Sequence, residues 1–296
     1  MDTMPNRILN IGSLNLDQTY FVSHIVQGGE TLPVKTLQSF CGGKGLNQSL
    51  AAARMGASVC HGGAVGIDGD PLLNVLQKSD VDCTRVLRRS GGSGHAIIQV
   101  NDGGENAILV FGGANHSLTE AELDEMLAGF GKGDLLLLQN ECNGVSYAMR
   151  KAKAQGMTVL FNPAPMTDDV REMALSEVDW LVVNETEAAA LAGDWDALRA
   201  RFPNQKCIMT QGKRGSMCFD GAETIQTPAF LVRTIDTTGA GDTFLGCFAA
   251  KVALGAPARV ALRYATAASA LAVGVAGAAA SIPNAKAVEA FLKQID

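Results

Sequence analysis

A chain of 296 residues has room for one large or two small domains, each with a buried core. Its net charge of −6, with no Lys/Arg cluster longer than Arg88-Arg89, argues against a nucleic-acid partner. Seven scattered cysteines (41, 60, 83, 142, 207, 218 and 247) and four isolated histidines form neither a disulfide framework nor a zinc site.

The amino terminus passes from Met1 through polar residues straight into Arg7-Ile8-Leu9-Asn10-Ile11, without the basic and apolar regions of a signal peptide. A cytoplasmic protein with reduced thiols is expected. The run from Arg7 to Gly12 reads as a first buried strand. Gly12-Ser13-Leu14-Asn15-Leu16-Asp17 follows it and lacks the Gly-x-Gly-x-x-Gly of a dinucleotide fold. In an extended segment Asn15 and Asp17 point to one side, where an amide and a carboxylate suit sugar hydroxyls; a turn-forming pair is the other reading. Residues 18–40 alternate weakly around Gly28-Gly29, as short strands do.

Cys41-Gly42-Gly43-Lys44-Gly45-Leu46-Asn47-Gln48 is not a Walker loop, because glycine rather than Ser or Thr follows Lys44. It leads into an alanine-rich helix from Ser49 that Gly56 closes. Glycines bring backbone close to something small, and Lys44 and Asn47 are donors for it. A plain loop-to-helix junction has little use for a lysine among three glycines. The two alternating runs 95–100 and 106–111, joined by Asn101-Asp102-Gly103-Gly104-Glu105, predict a hairpin. With residues 18–40 it would form a small separate sheet. The apolar outer face of such a sheet predicts pairing of two copies across a two-fold axis.

From residue 117 strands and helices alternate. Ser117-x-x-Glu120 reads as a capping box opening a helix to Phe130. Strands at 135–139, 157–162, 180–183 and 206–209, with helices between, predict a doubly wound, mainly parallel sheet with helices on both faces. Ligands lie off the carboxyl ends of such strands. That rule selects Glu141, the stretch Asn184-Glu185-Thr186-Glu187, and Thr210-Gln211-Gly212-Lys213-Arg214-Gly215. Each has a plainer reading: a solvated acid, a capping box and an ordinary turn.

Asp236-Thr237-Thr238-Gly239-Ala240-Gly241-Asp242-Thr243-Phe244 is a glycine turn feeding an apolar helix. A helix start attracts phosphate, so a carboxylate placed there suits a proton acceptor in phosphoryl transfer; alternatively Asp242 only caps the helix. Ala265 to Ser281 is nearly uncharged, but it is built of alanine and glycine. It reads as a buried helix running into a loop rather than as a membrane span.

Asp-Thr-Thr-Gly-Ala-Gly-Asp resembles, without a gap, the signature of the ribokinase-like (PfkB-type) carbohydrate kinases. The likeness runs from Asn15 to Ser281, with Gly-Gly-Lys-Gly-x-Asn-Gln, Asn-x-x-Glu and the 210–215 loop in the family's order. It implies a single kinase domain over residues 1–296 with a β lid inserted at about 18–40 and 95–111. It also implies an ATP-dependent kinase acting on the primary hydroxyl of a small sugar, D-ribose first. Another sugar, a nucleoside, or a non-catalytic sugar sensor are the alternatives. By the resemblance Asp242 is the base, and the amides of Gly239, Ala240 and Gly241 form the anion hole. Asn15, Asp17, Gly43, Lys44, Asn47 and Glu141 bind the sugar. Asn184, Thr210 to Gly215, Gly241 and Thr266 hold ATP. Glu187 organises Mg²⁺ through water, while Asp236 with Thr238, Ala272, Val275, Gly277 and Ser281 binds an activating K⁺. The lid implies a homodimer, and neither nucleic acid nor membrane is an expected partner.

Overall fold

The computed structural model describes residues 6–295. The first half runs β1 (Ile8–Ile11), β2 (Asn15–Phe21), β3 (Thr36–Gly42), α1 (Lys44–Arg54), β4 (Val59–Val65), α2 (Asp70–Gln77), β5 (Asp82–Arg88), β6 (Gly94–Val100), β7 (Asn106–Phe111) and α3 (Glu120–Leu127). The second runs β8 (Leu135–Gln139), α4 (Val145–Ala154), β9 (Thr158–Asn162), β10 (Trp180–Asn184), α5 (Glu185–Leu191), α6 (Trp195–Arg201), β11 (Lys206–Thr210), β12 (Ser216–Phe219), β13 (Thr224–Thr227), α7 (Ala240–Ala253), α8 (Ala258–Ala272), α9 (Ala278–Ser281) and α10 (Ala285–Ile295).

Nine strands form one sheet in the order β13-β12-β11-β10-β9-β8-β1-β4-β5. It is parallel from β5 through to β11 and antiparallel only at β12 and β13. Strand β8 shows why helices flank both faces. Leu135 and Leu137 pack in one apolar cluster with α1, α7 and α8, while Leu136 and Leu138 pack in another with α3 and α4. Successive side chains of a strand point to opposite faces, so an unbroken leucine run must be covered twice. The expected doubly wound sheet is present.

The strand order turns between β1 and β8, the place where ligands settle in open α/β sheets. Ser13 follows β1 and Glu141 follows β8, and the Ser13 hydroxyl donates to Glu141 Oε2 there.

The expected small sheet is also present, four strands in the order β3-β2-β6-β7. Its hairpin β6–β7 pairs His95 with Phe111 and Val100 with Asn106. Asn15 and Asp17 both lie on β2, opposite Gly42 and Phe40 of β3.

Two boundaries differ from the sequence expectation. Helix α3 is capped by Thr119 and Glu122, each bonding the other's backbone N–H, not by Ser117 and Glu120. The Ser117 hydroxyl is already committed to the Ala114 carbonyl and to Arg89, and the helix stops at Leu127, short of Phe130. Helix α1 begins at Lys44, five residues before the expected start at Ser49, with Gly43 at φ 95° ahead of it. The glycine motif is therefore the first turn of that helix.

Candidate active site

The two helices that matter most cross at a glycine. A Cβ at Gly246 of α7 would overlap the Gln48 carbonyl and stand 2.6 Å from the Ala51 Cβ of α1, so only glycine allows this approach. The close crossing carries the Asn47 and Gln48 amides to Asp242. Asn47 Nδ2 donates to Asp242 Oδ2 at 3.2 Å, and Gln48 Nε2 donates to Oδ1 at 2.9 Å.

Asp242 occupies the first turn of α7, after Gly239 in the left-handed region at φ 73°. A Cβ at Gly239 would meet the Ala278 Cβ at 2.9 Å, so the turn is pressed onto α9. First-turn amides have no intrahelical acceptor. The Ala240 amide is taken by the Thr237 carbonyl at 3.2 Å. Among the described residues, the amides left open for an anion at this helix start are thus those of Gly239, Gly241 and Asp242 rather than the predicted Gly239, Ala240 and Gly241.

Lys44 faces Asp242 across a cavity of about 150 Å³ that Asn162, Asn184, Glu187, Gly239 and Gly241 also line. The Asp242 carboxylate, aided by Glu141 and Glu187, holds the Lys44 ammonium above its ordinary pKa although burial opposes this. Glu187 is buried, which raises its carboxyl, and it accepts from the Asn184 backbone and side chain and from Asn162. Asn184 Oδ1 in turn accepts from the Glu187 amide at 2.8 Å. The capping box is therefore real, and it also fixes a carboxylate on the cavity wall. Among the described residues no group of three or more His, Cys, Asp or Glu is gathered to cage a metal. One held carboxylate among amides beside an anion site suits Mg²⁺, which keeps several waters and takes its other ligands from phosphate.

On the other side of the Lys44 backbone, Gly43, Lys44 and Glu141 meet the end of β1. Glu141 Oε2 accepts from the Lys44 amide at 2.9 Å as well as from Ser13, placing an acid at the start of α1. A Cβ at Gly45 would overlap Gly12, so the helix start sits directly on the strand end. Asn15 is buried and held by Asn115, which donates to its Oδ1 at 2.7 Å. Burial and then the nearby Glu141 charge push the Asp17 carboxyl up to about 7, against a hydrogen bond from Ala96.

A larger cleft of about 580 Å³ adjoins the cavity through Thr210, Gly241 and Phe244, which line both. Of the residues assigned to ATP by the resemblance, Gly212, Lys213, Gly215 and Thr266 also line it. Gln211 and Arg214 do not: the Gln211 amide closes the turn on the Gly215 carbonyl at 2.7 Å, and Arg214 pairs with Glu185. The wall formed by Ala229 to Val232, and by Ser269, Ala270 and Val273 of the α8 end, was not anticipated. No motif marks it, since an apolar wall for a flat base needs only shape.

Asp236 accepts from the Thr238 amide and hydroxyl at 2.9 and 2.7 Å and from the Gly277 amide at 2.8 Å. Against desolvation, these bonds hold its carboxyl below the ordinary value. They tie the 236–238 loop to the loop ahead of α9, where Val275 and Gly277 lie; Ser281 is the last residue of α9, and the Ala272 carbonyl accepts from the Val275 amide at 3.0 Å.

A nucleotide-sized cleft opening onto a helix start with an acid and a lysine, beside a second, polar basin, is laid out for phosphoryl transfer. Comparison with known proteins agrees. The description pfkB family carbohydrate kinase matches residues 5–285, and the chain belongs to that family. A ribokinase of Staphylococcus aureus is 34% identical over 95% of this chain and 97% of its own. A deoxyribokinase of Salmonella typhi is 31% identical over the same shares, 95% and 97%. The ribokinase of Arabidopsis thaliana, solved in complex with ribose and ATP, superposes with a TM-score of 0.89 at 29% identity. It covers 98% of this chain and 99% of that one.

Proposed function

We propose that the protein transfers the γ-phosphoryl group of ATP to O5 of D-ribose, giving ribose 5-phosphate and ADP. The observation that carries this is Asp242, set among open amides where the two basins meet. The ribose hydroxyl gives its proton to Asp242 as its oxygen bonds to phosphorus, and the bond from phosphorus to the ADP oxygen breaks. The Gly239, Gly241 and Asp242 amides and the Lys44 ammonium hold the charge that develops on the transferring group. Asn47 and Gln48 aim the carboxylate. Asn15, Asp17, Gly43, Asn47 and Glu141 take the sugar hydroxyls, while Thr210, the 212–215 loop and Thr266 take the nucleotide.

As an ATP-using kinase it takes its nucleotide with a divalent metal; Mg²⁺, held through water by Glu187 beside Asn184, neutralises phosphate charge when bound. Two finer readings go with this. Asp236 and the carbonyls of Thr238, Ala272, Val275, Gly277 and Ser281 form a K⁺ site behind the helix start, supported by the bonds that already join those loops. The lid joins two copies in a homodimer, supported by the exposed Leu37, Phe40, Ile108, Leu109, Val110 and Phe111. Cytoplasmic placement rests on the free cysteines, and no helix among the described residues is long and apolar enough to cross a membrane.

The test is ADP release measured across D-ribose, 2-deoxyribose, D-fructose and adenosine, with Asp242→Asn alongside. Ribose is expected to lead fructose and adenosine by at least about tenfold in kcat/KM. Asp242→Asn is expected to lower kcat by roughly 10²–10⁴ with a smaller change in sugar KM. Fructose or adenosine in front would remove ribose as the substrate, and an Asp242→Asn variant within a few-fold of wild type would remove the base.

A further inference from the structure

Below the site lies a line of polar side chains of which the reaction above uses only Gln48. They come from four elements of the large sheet and its helix layer: Asn10 of β1, Gln48 and Ser49 of α1, His61 of β4 and Gln139 of β8. None is more than 1% exposed. Buried amides in an otherwise apolar layer require a reason, because each donor and acceptor has left water.

The hydrogen bonds among them diverge from Gln139, one branch passing through Asn10 and Ser49 to His61 and the other through Gln48 to Asp242. His61 donates from Nε2 to the Gly12 carbonyl at 3.2 Å, which leaves Nδ1 to accept the Ser49 hydroxyl at 2.8 Å. Burial pushes the imidazole down to about 4 despite that carbonyl, so the ring is neutral and carries one proton. Ser49 Oγ therefore accepts from Asn10 Nδ2 at 2.8 Å, and Asn10 Oδ1 accepts from Gln139 Nε2 at 2.9 Å. The same Gln139 nitrogen donates to Gln48 Oε1 at 2.7 Å. Gln48 then has only its Nε2 protons to present at the other end, and one of them reaches Asp242 Oδ1. Gln139 Oε1 has no partner among the described residues and lies against Gly12, where a Cβ would overlap it. An unpaired acceptor at the centre of the line would be avoided if packing were its only purpose.

We propose that this line positions Asp242: it locks the Gln48 amide so that its N–H, and never its carbonyl oxygen, faces the carboxylate. A rotated Gln48 would set Oε1 against Asp242 and lose its bond to Gln139, so Gln139 is the residue that decides the orientation. The inference rests on the reading of Asp242 as the base. Lys44 of α1 and Glu187 of α5 are the other charged groups that face Asp242, and the variants below leave both in place.

The experiment is the pH profile of kcat for Gln48→Met, Gln139→Met and the isosteric Gln139→Glu, with Asp242→Asn in the same assay. A carboxylate that loses a donor titrates at higher pH. The acid limb is therefore expected to move up in Gln48→Met and by a smaller amount in Gln139→Met, with kcat at neutral pH reduced about tenfold in Gln48→Met and sugar KM changed less than about threefold. Gln139→Glu keeps the side-chain shape but adds a charge that would itself raise the limb, so an upward shift counts for the line only where Gln139→Met shows it too, whereas an unmoved limb in Gln139→Glu counts against it. Unmoved limbs in Gln48→Met and Gln139→Glu, with Asp242→Asn inactive, would overturn the positioning line and leave the base standing. An active Asp242→Asn would overturn the base, and the positioning role with it.

Discussion

Asn115 donates from Nδ2 to Asn15 Oδ1 at 2.7 Å, while its own Oδ1 accepts the Leu14 amide at 3.0 Å. The two bonds together fix the Asn15 Oδ1 on Asn115 and leave the Asn15 NH₂ group, a donor, for another partner. Gly94 completes the contact, since a Cβ there would overlap both amides. Asn115→Ala should leave the Leu14 N–H and Asn15 Oδ1 unpaired and free Asn15 to rotate. Losing a partner in a closed site costs about 1–3 kcal/mol, so sugar KM is expected to rise roughly 5- to 100-fold with kcat changed less. Steady-state kinetics check this; an unchanged KM would show that Asn15 orients itself.

The second prediction concerns pH. Asp17 titrates at about 7 in the folded chain, raised from 3.8. A raised carboxyl means that the folded state holds the proton more tightly than the unfolded state. Stability should therefore fall as pH rises from about 4 to about 7 and level off above that. Sugar hydroxyls donate best to the ionised form, so ribose KM should fall as pH rises through about 7. Asp17→Asn is expected to abolish both trends, to stabilise the chain above pH 7 and to weaken sugar binding there. Denaturant melts and ribose titrations at pH 5.5 and 8 provide the measurement.

Gly246 offers a purely steric test. Gly246→Ala forces a methyl into the Gln48 carbonyl and the Ala51 side chain, and overpacking of this kind typically costs about 1–3 kcal/mol. Because the same contact sets Asn47 and Gln48 against Asp242, kcat should drop with stability. Gly91→Ala, where a Cβ meets nothing within 4 Å, is the matched control. Urea midpoints that coincide for the two variants would contradict the packing argument.

For the cation, activity in K⁺ is expected to exceed activity in Na⁺ or in a bulky organic cation at equal ionic strength, and Asp236→Ala to remove the difference. Equal rates in all three salts would refute the site.

For the lid, sedimentation at micromolar concentration is expected to give a dimer, and Leu109→Lys with Phe111→Lys to shift it to monomer. Leu109 and Phe111, on the opposite face of the lid sheet from Asp17, are 67% and 55% exposed in the single chain, which leaves them free to meet a second copy. A wild-type monomer would contradict the pairing.

Much of the architecture could be read from local pattern. The leucine run of β8, the alternation of β6 and β7 and the glycine-flanked acid of α7 each follow from the period of the backbone and the freedom of glycine, which depend on near neighbours in the chain. Near neighbours also decide where a phosphate-binding helix start lies, so Asp242, Lys44 and the Asn184–Glu187 pair were identifiable as residue types at a spacing. The cap of α3 was misread because two Ser/Thr-x-x-Glu registers overlap there, and only the commitment of Ser117 to Ala114 chooses between them.

What the tertiary structure alone decided is which side chains finish the site. Gln48, Asn115 and Gln139 are plain amides by sequence. They acquire their roles because the fold brings together residues 91 to 194 positions apart, and a hydrogen bond depends on that meeting. Likewise the Thr237 carbonyl takes the Ala240 amide from the anion hole through a turn whose dihedrals, not its composition, aim the N–H. Direction is a property of three-dimensional placement, and the sequence specifies it only through the whole fold.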